Sequence, residues 1–341
     1  MNEQNMTLDR DTVVKAIEHK SPGAVPTCMC MWWGEGLREQ YGNALDDLEA
    51  RYPDDVVKVY LPLIDWEGTP YSWRREETGD SHGLDSDALL PDWRYLDEFI
   101  ECSPKPEDLD FSEARQIAEE AHSRGQYVMA GFWRFFFERP WGIRGMENIM
   151  LDYYDHPEEV HKLHSYLRDV YQCIIRRTAE EVKADGFQTS DDLGNQQSLN
   201  MTPGQFKEFI KPFYLELVPE VHRLGMHFWL HSCGNNTDVM EDLIEAGVDM
   251  FHPVQKHTMD WPGTVERFGG RIGFWAGFDV QHTLQEAGPD EVRAEVRHMI
   301  DMFGRSEGGL VLAAGNGITA GTPLENIEAF LDEAHGPAAG R

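Results

Sequence analysis

Along the chain, short runs of apolar and β-branched residues alternate with longer stretches in which apolar positions recur every three to four residues. The short runs read as buried strands and the longer stretches as amphipathic helices. Eight strands are expected, at residues 25–32, 56–61, 127–132, 186–190, 227–231, 249–253, 272–276 and 310–314. Helices are expected at 112–123, 157–184, 203–224, 237–246, 289–303 and 323–334. The 203–224 helix has Thr202 as its N-cap and Pro203 at its first position, and it stops at Gly225.

Strand–helix alternation repeated eight times predicts parallel pairing and an α/β fold, a (β/α)8 TIM barrel filling one domain over 1–341. A bare barrel needs about 250 residues. The surplus falls early, at 67–110 and 133–148, in segments rich in Trp, Arg and Pro that are expected to lie over the barrel mouth. Residues 336–341 read as a frayed tail. An open doubly wound sheet is the alternative, but no Gly-rich dinucleotide fingerprint follows any strand.

Composition sharpens this picture. Hydrophobic residues make up 41% of the 341, enough for a large core. Acids outnumber bases 61 to 30, for a net charge of −31, a field that repels phosphate backbones and anionic lipid surfaces. Neither nucleic acid nor a membrane is expected as a partner. Five cysteines form no disulfide framework, and the polar start shows no signal-peptide pattern, so a reducing cytoplasm is the expected setting.

In such barrels chemistry sits at the C-terminal ends of the strands. Those ends carry Cys28, Cys30, Trp32 and Trp33 on the first strand, Trp66 after the second, and Trp133 and Arg134 after the third. Asp191 and Asp192 follow the fourth, His231 and Cys233 the fifth, His252 and Gln255 the sixth, Asp279 the seventh, and Asn316 the eighth. His231 and Cys233 stand two apart on one strand face, a spacing with which imidazole and thiolate can grip one ion such as zinc. The structural alternative is a buried His bonded to backbone beside a buried Cys. Asp191 and Asp192 are candidates for metal ligation, base catalysis or substrate binding, or else for a helix cap. His252 is a candidate catalytic group, and His252 and Gln255 can line the pocket or make plain hydrogen bonds. Trp32, Trp33, Trp66 and Trp133, with Phe135, Phe136, Phe137 and Trp141, can wall a pocket for a flat substrate. Arg134, Arg139 and Arg144 among them can hold a carboxylate or pair with surface acids.

The carrying segments, taken together, resemble the uroporphyrinogen decarboxylase superfamily. They are GMENIM at 145–150 with DHPE at 155–158, DDLGNQ at 191–196, PGQFKEFIKP at 203–212, HSCGN at 231–235, EAGVD at 245–249 with PVQ at 253–255, and TPLEN at 322–326. The resemblance implies a (β/α)8 barrel that is either a porphyrinogen decarboxylase or a zinc-dependent, cobalamin-linked methyltransferase. The decarboxylases carry an arginine-rich motif after strand one; here that place reads MWWGEG at 31–36, with Arg38 nearby. The methyltransferases use a His-x-Cys pair plus a later Cys as zinc ligands. His231 and Cys233 match the pair, whereas Asn316 stands where the later Cys belongs. Either a carboxylate from Asp191 or Asp192, or a thiolate from Cys28 or Cys30, would then complete the site, or no zinc is held at all.

The implied activity is transfer of a methyl group from a small methylated substrate, such as a methoxylated aromatic, to the cobalt of a corrinoid protein. Zn²⁺ would serve as Lewis acid, and cobalamin would arrive on the corrinoid partner. Trp32, Trp33, Trp66, Trp133, Arg134, Gln255 and Asn316 are the expected substrate contacts. The alternatives are a metal-free decarboxylase, with Asp191 or Asp192 holding pyrrole N–H groups, and a barrel that binds a corrinoid or methylated ligand without turnover.

Overall fold

A computed structural model describes residues 7–64 and 88–340, with the side chain of Cys30 outside that description. Seven strands form one parallel sheet in chain order. They are β1 (Val56–Tyr60), β2 (Tyr127–Gly131), β3 (Gly186–Ser190), β4 (His227–His231), β5 (Met250–His252), β6 (Gly273–Phe278) and β7 (Leu310–Ala314). Strands β2, β3, β6 and β7 are buried at every position, which is why they read as continuous apolar runs and not as alternating ones.

The expected first strand, 25–32, is not a strand of that length. Residues 26–28 instead make a narrow bridge between the two edges of the sheet. Thr27 pairs in parallel with Leu312 of β7, and its carbonyl accepts from the N–H of Asp55, just before β1. Pro26 has no N–H to give to a ladder. Side chains take over: the Asp55 carboxylate accepts from Thr27 N at 2.7 Å, and Asp54 accepts from Met29 N at 2.6 Å. The chain then turns into a 3-10 segment at Cys30–Trp32. The eightfold α/β barrel therefore stands, with its first strand reduced to a clasp.

Helices return the chain between strands. Pro157–Arg177 starts on a proline, carries Glu158 and Glu159 in its first turn and Arg176 and Arg177 in its last, and so complements its own dipole. Its buried stripe runs Val160, Leu163, Leu167, Val170, Tyr171 and Ile174, and the helix packs on Lys211–Arg223 and Met146–Asp155. Thr202 caps the next helical stretch with the reciprocal bond from Gln205, and a π segment at Phe206–Ile210 interrupts it before Lys211–Arg223. Within 133–148, expected to be a mouth loop, the chain forms the helix Glu138–Arg144. Among the described residues no helix is long and apolar enough to cross a membrane.

Candidate metal centre

Register places the core of the site. Ser190 pairs with His231, and His231 with His252, so the last residues of β3, β4 and β5 lie side by side. The ladder continues one step further: Asp191 N donates to His231 O, and Ser232 N to His252 O, both at 2.9 Å. Adjacent strands stand about 4.8 Å apart, so two imidazoles in register on one face must meet. Their Nδ1 atoms are 2.7 Å apart.

Protonation of this pair follows by elimination. His252 Nε2 lies 2.8 Å from the carbonyl oxygen of Ala314, which only accepts, so that nitrogen carries the proton. Burial, with His231 beside it, holds His252 well below the usual imidazole range, so it is neutral and its Nδ1 is an acceptor. His231 must then donate through Nδ1. Burial lowers its affinity for a second proton as well, which leaves a lone pair on Nε2. That lone pair faces Cys233 Sγ at 3.3 Å and Asp192 Oδ1 at 3.5 Å.

Asp191 and Asp192 are consecutive and point opposite ways. Asp191 is fully buried and accepts from the backbone N–H groups of Phe136, Phe137 and Glu138 and from the Tyr214 hydroxyl. Burial pushes its carboxyl up to about 7, against four donors that favour the charged form. It anchors the start of the helix Glu138–Arg144 and, fully buried, shows no oxygen to solvent. Asp192 is partly exposed, and its Oδ1 accepts from Cys233 N at 2.9 Å. The loops carrying Asp192 and Cys233 approach so closely because two glycines meet there. A Cβ on Gly234 would fall 2.3 Å from the Gly194 carbonyl carbon, and one on Gly194 would fall 2.7 Å from Asn235 N.

Asp192, His231 and Cys233 thus present an oxygen, a nitrogen and a sulfur that all lie within 4.8 Å of one another. A tetrahedral zinc with ordinary bond lengths sets ligand–ligand edges of roughly 3.3–3.6 Å, and the 3.3 and 3.5 Å separations at His231 fall in that range. The donor set therefore fits the ion. Asn316 donates its amide to Cys233 Sγ at 3.4 Å, so it lies against the sulfur as a neutral hydrogen-bond donor. Cys28 is fully buried, with its thiol toward Met31 Sδ at 3.7 Å.

Aromatic rings brace the pair more than they line an open wall. Trp32, 4% exposed, stacks on His252 with centroids 4.4 Å apart and planes 10° from parallel. Trp133, half-buried, meets His231 edge to face at 5.4 Å, and Trp275 packs against both His252 and Trp32, with centroids 4.5 and 5.5 Å away. Trp33 gives its indole N–H to Glu49 instead. Phe135, Phe136 and Phe137 are wholly buried and pack on Tyr171, Phe213 and Trp141. Trp66 lies outside the described residues. Arg134 is exposed in a left-handed conformation, φ 75°, and its N–H donates to Ser190 Oγ. Gln255 accepts from Gly234 N at 3.1 Å and holds the loop beyond Cys233. His252, with both ring nitrogens engaged, works through His231 and has none free for substrate.

Glu138 escaped the sequence reading. Its side chain is buried beside the site, and Ser190 donates its hydroxyl to Oε2. Burial, with the Asp192 charge behind it, pushes this carboxyl up to about 8. One signal pointed to it: a single acid directly after three phenylalanines is drawn inward by its neighbours' burial.

The chain belongs to the uroporphyrinogen decarboxylase (URO-D) family, whose model matches residues 141–337, more than half of its length. Within that family it is similar to a uroporphyrinogen decarboxylase of Burkholderia thailandensis, 33% identical over 100 residues, which make up 28% of this chain and 25% of that protein. It is also similar to the methylcobamide:CoM methyltransferase MtaA of Methanosarcina barkeri, 27% identical over 132 residues, 38% of this chain and 36% of that protein. The matched segments span about a quarter to a third of these relatives' length. Among solved structures, a D-psicose 3-epimerase from Clostridium cellulolyticum H10 overlays with a TM-score of 0.46 at 10% identity, covering 90% of both chains.

Proposed function

We propose that this chain is a corrinoid-dependent methyltransferase that takes a methyl group from a small methylated substrate, with Zn²⁺ held by Asp192, His231 and Cys233. The observation that carries the reading is the convergence of those three donor atoms on one point, with the His231 lone pair turned toward it by His252. Zinc held there would supply Lewis acidity toward the heteroatom that bears the methyl group. One thiolate, one imidazole and one carboxylate leave a less electron-rich ion than a two-thiolate set, which suits an ether or amine better than a thiol.

The chain's own residues do the rest. His252 fixes the ring plane and tautomer of His231 through the Ala314 carbonyl. Asp191 holds the turn that brings Glu138 inward. Glu138 keeps a proton near neutral pH and would be the candidate to give it to a heteroatom as its methyl group departs. Trp32 and Trp133 exclude water from the imidazole pair. Cobalamin would come on a separate corrinoid protein and meet the substrate at the barrel mouth.

A porphyrinogen decarboxylase is the second reading, favoured by the similarity to the Burkholderia enzyme. Its substrate is rich in carboxylates, and the nearby cations are mostly committed. Arg38 is paired with Asp46 and Glu49, and Arg144 is buried against Asp152 and the Leu90 carbonyl. The two readings separate in one experiment. Purified protein is given reduced free cobalamin with a panel of methoxylated aromatics and, separately, uroporphyrinogen. Formation of methylcobalamin by the wild type but not by His231→Ala upholds methyl transfer; loss of carboxylates from uroporphyrinogen by both proteins would replace it with decarboxylation.

A further inference from the structure

We propose that His257, Asp279 and His282 form a second metal-binding site, at the ends of β5 and β6, that takes a divalent first-row ion without any thiolate. Asp279 directly follows β6, His257 lies in the turn after β5, and His282 immediately precedes the short helix Thr283–Glu286. One ligand atom from each lies within 4.8 Å of the others. His257 Nε2 stands 3.2 Å from Asp279 Oδ2 and His282 Nδ1 stands 3.5 Å from Oδ1. Those are the roughly 3.0–3.5 Å edges of a metal polyhedron with N and O bonds near 2.1 Å.

The carboxylate is fixed in place by the turn that follows it. Its Oδ1 accepts from the N–H groups of Gln281 and His282, and its Oδ2 from the N–H and hydroxyl of Thr283. With its side chain 4% exposed, Asp279 is a fixed anchor against which both rings are set. The rings meet edge to face, with centroids 4.7 Å apart and planes at 76°, so they bring their nitrogens to the carboxylate from different directions. Both imidazoles are about half exposed, which leaves coordination positions open to water or to a ligand oxygen. Two imidazoles and a carboxylate favour zinc, iron, cobalt or nickel over magnesium or calcium.

The place matters as much as the donors. His257 and Asp279 line a small cleft together with Gln255, Gln281 and Asn316. Asn316 is the residue that touches Cys233 Sγ, and Gln255 is the one that holds Gly234. The second site therefore borders a cleft whose residues Asn316 and Gln255 also touch the Cys233–Gly234 turn of the first.

Cobalt(II) titration of tag-free, full-length protein tests this, because thiolate-bound cobalt has an intense charge-transfer band and cobalt on His, His and Asp has none. The expected result is one equivalent that carries the band and one that does not. His257→Ala and His282→Ala, each at a half-exposed position and each checked for fold by circular dichroism, should weaken the band-free equivalent at least tenfold and leave the band. Cys233→Ser should remove the band and leave the band-free equivalent. A single band-free equivalent that is lost in His257→Ala upholds this site while sinking the thiolate one. Wild-type protein with no band-free equivalent, or one that survives both alanine variants, overturns the proposal.

Discussion

His231 and His252 face each other through their Nδ1 atoms at 2.7 Å, and the proton between them belongs to His231. The relationship is set three strands away, where the Ala314 carbonyl claims the other nitrogen of His252. Replacing His252 by Phe keeps a ring for Trp32 to stack on and removes the acceptor. Zinc affinity should then fall by roughly 10–100-fold, measured by competition with a chromophoric chelator. Unchanged affinity would show that the His252 contact is packing alone.

The two adjacent acids should separate cleanly. Asp191→Ala strands three buried N–H groups and a phenol, and should cost roughly 3 kcal/mol in urea unfolding. Asp192→Asn keeps an acceptor for Cys233 N and should barely move stability, yet it should lose zinc. The reverse pattern would exchange their roles.

Asn316→Cys would place a second thiol against the Cys233 sulfur, where the amide now donates. Zinc should bind more tightly, by about tenfold or more, and methyl transfer from ethers should slow because the ion becomes a weaker Lewis acid. Tighter zinc with faster ether cleavage would remove the argument from ligand softness.

Glu138 gives a pH signature. Its carboxyl titrates near 8 when folded and near the ordinary carboxylate range when unfolded. Between those values the folded state holds the extra proton, so this group makes stability fall as pH rises, with no further loss above about 8. Glu138→Gln should therefore flatten the decline in melting temperature between pH 5 and 9. Parallel curves for the two proteins would mean that Glu138 is ionised in the fold throughout.

Much of this architecture was legible because its causes are local. The strands at 186–190, 227–231 and 310–314 were read to the residue, since each is a continuous buried run between turn signals. The cap at Thr202 and the stop after Phe303 were equally plain. The expected strand at 25–32 failed because its hydrogen bonds come from Asp54 and Asp55, some 25 residues later, and no local pattern encodes that. The helix Glu138–Arg144 was hidden by Pro140 and Gly142 and is anchored by Asp191, again a distant partner.

The candidate site shows the same division. The two-residue spacing of His231 and Cys233 marked a pair on one face. Nothing in the sequence could say which of Asp191 and Asp192 would join them, because that depends on what fills the space behind β3. His257 and His282 are 25 residues apart and converge only because β5 and β6 end side by side.

The way the sheet closes carries one more consequence. A hoop fastened by a three-residue clasp, with two carboxylates as its rivets, does not share strain evenly around its circumference. Thermal breathing should part it at the clasp, between β7 and β1, while β3, β4 and β5 stay laced together. The three donors are carried by those laced strands, and the seam reaches them through Asn316 and Trp32, so opening of the clasp should loosen those two contacts before the donors themselves part.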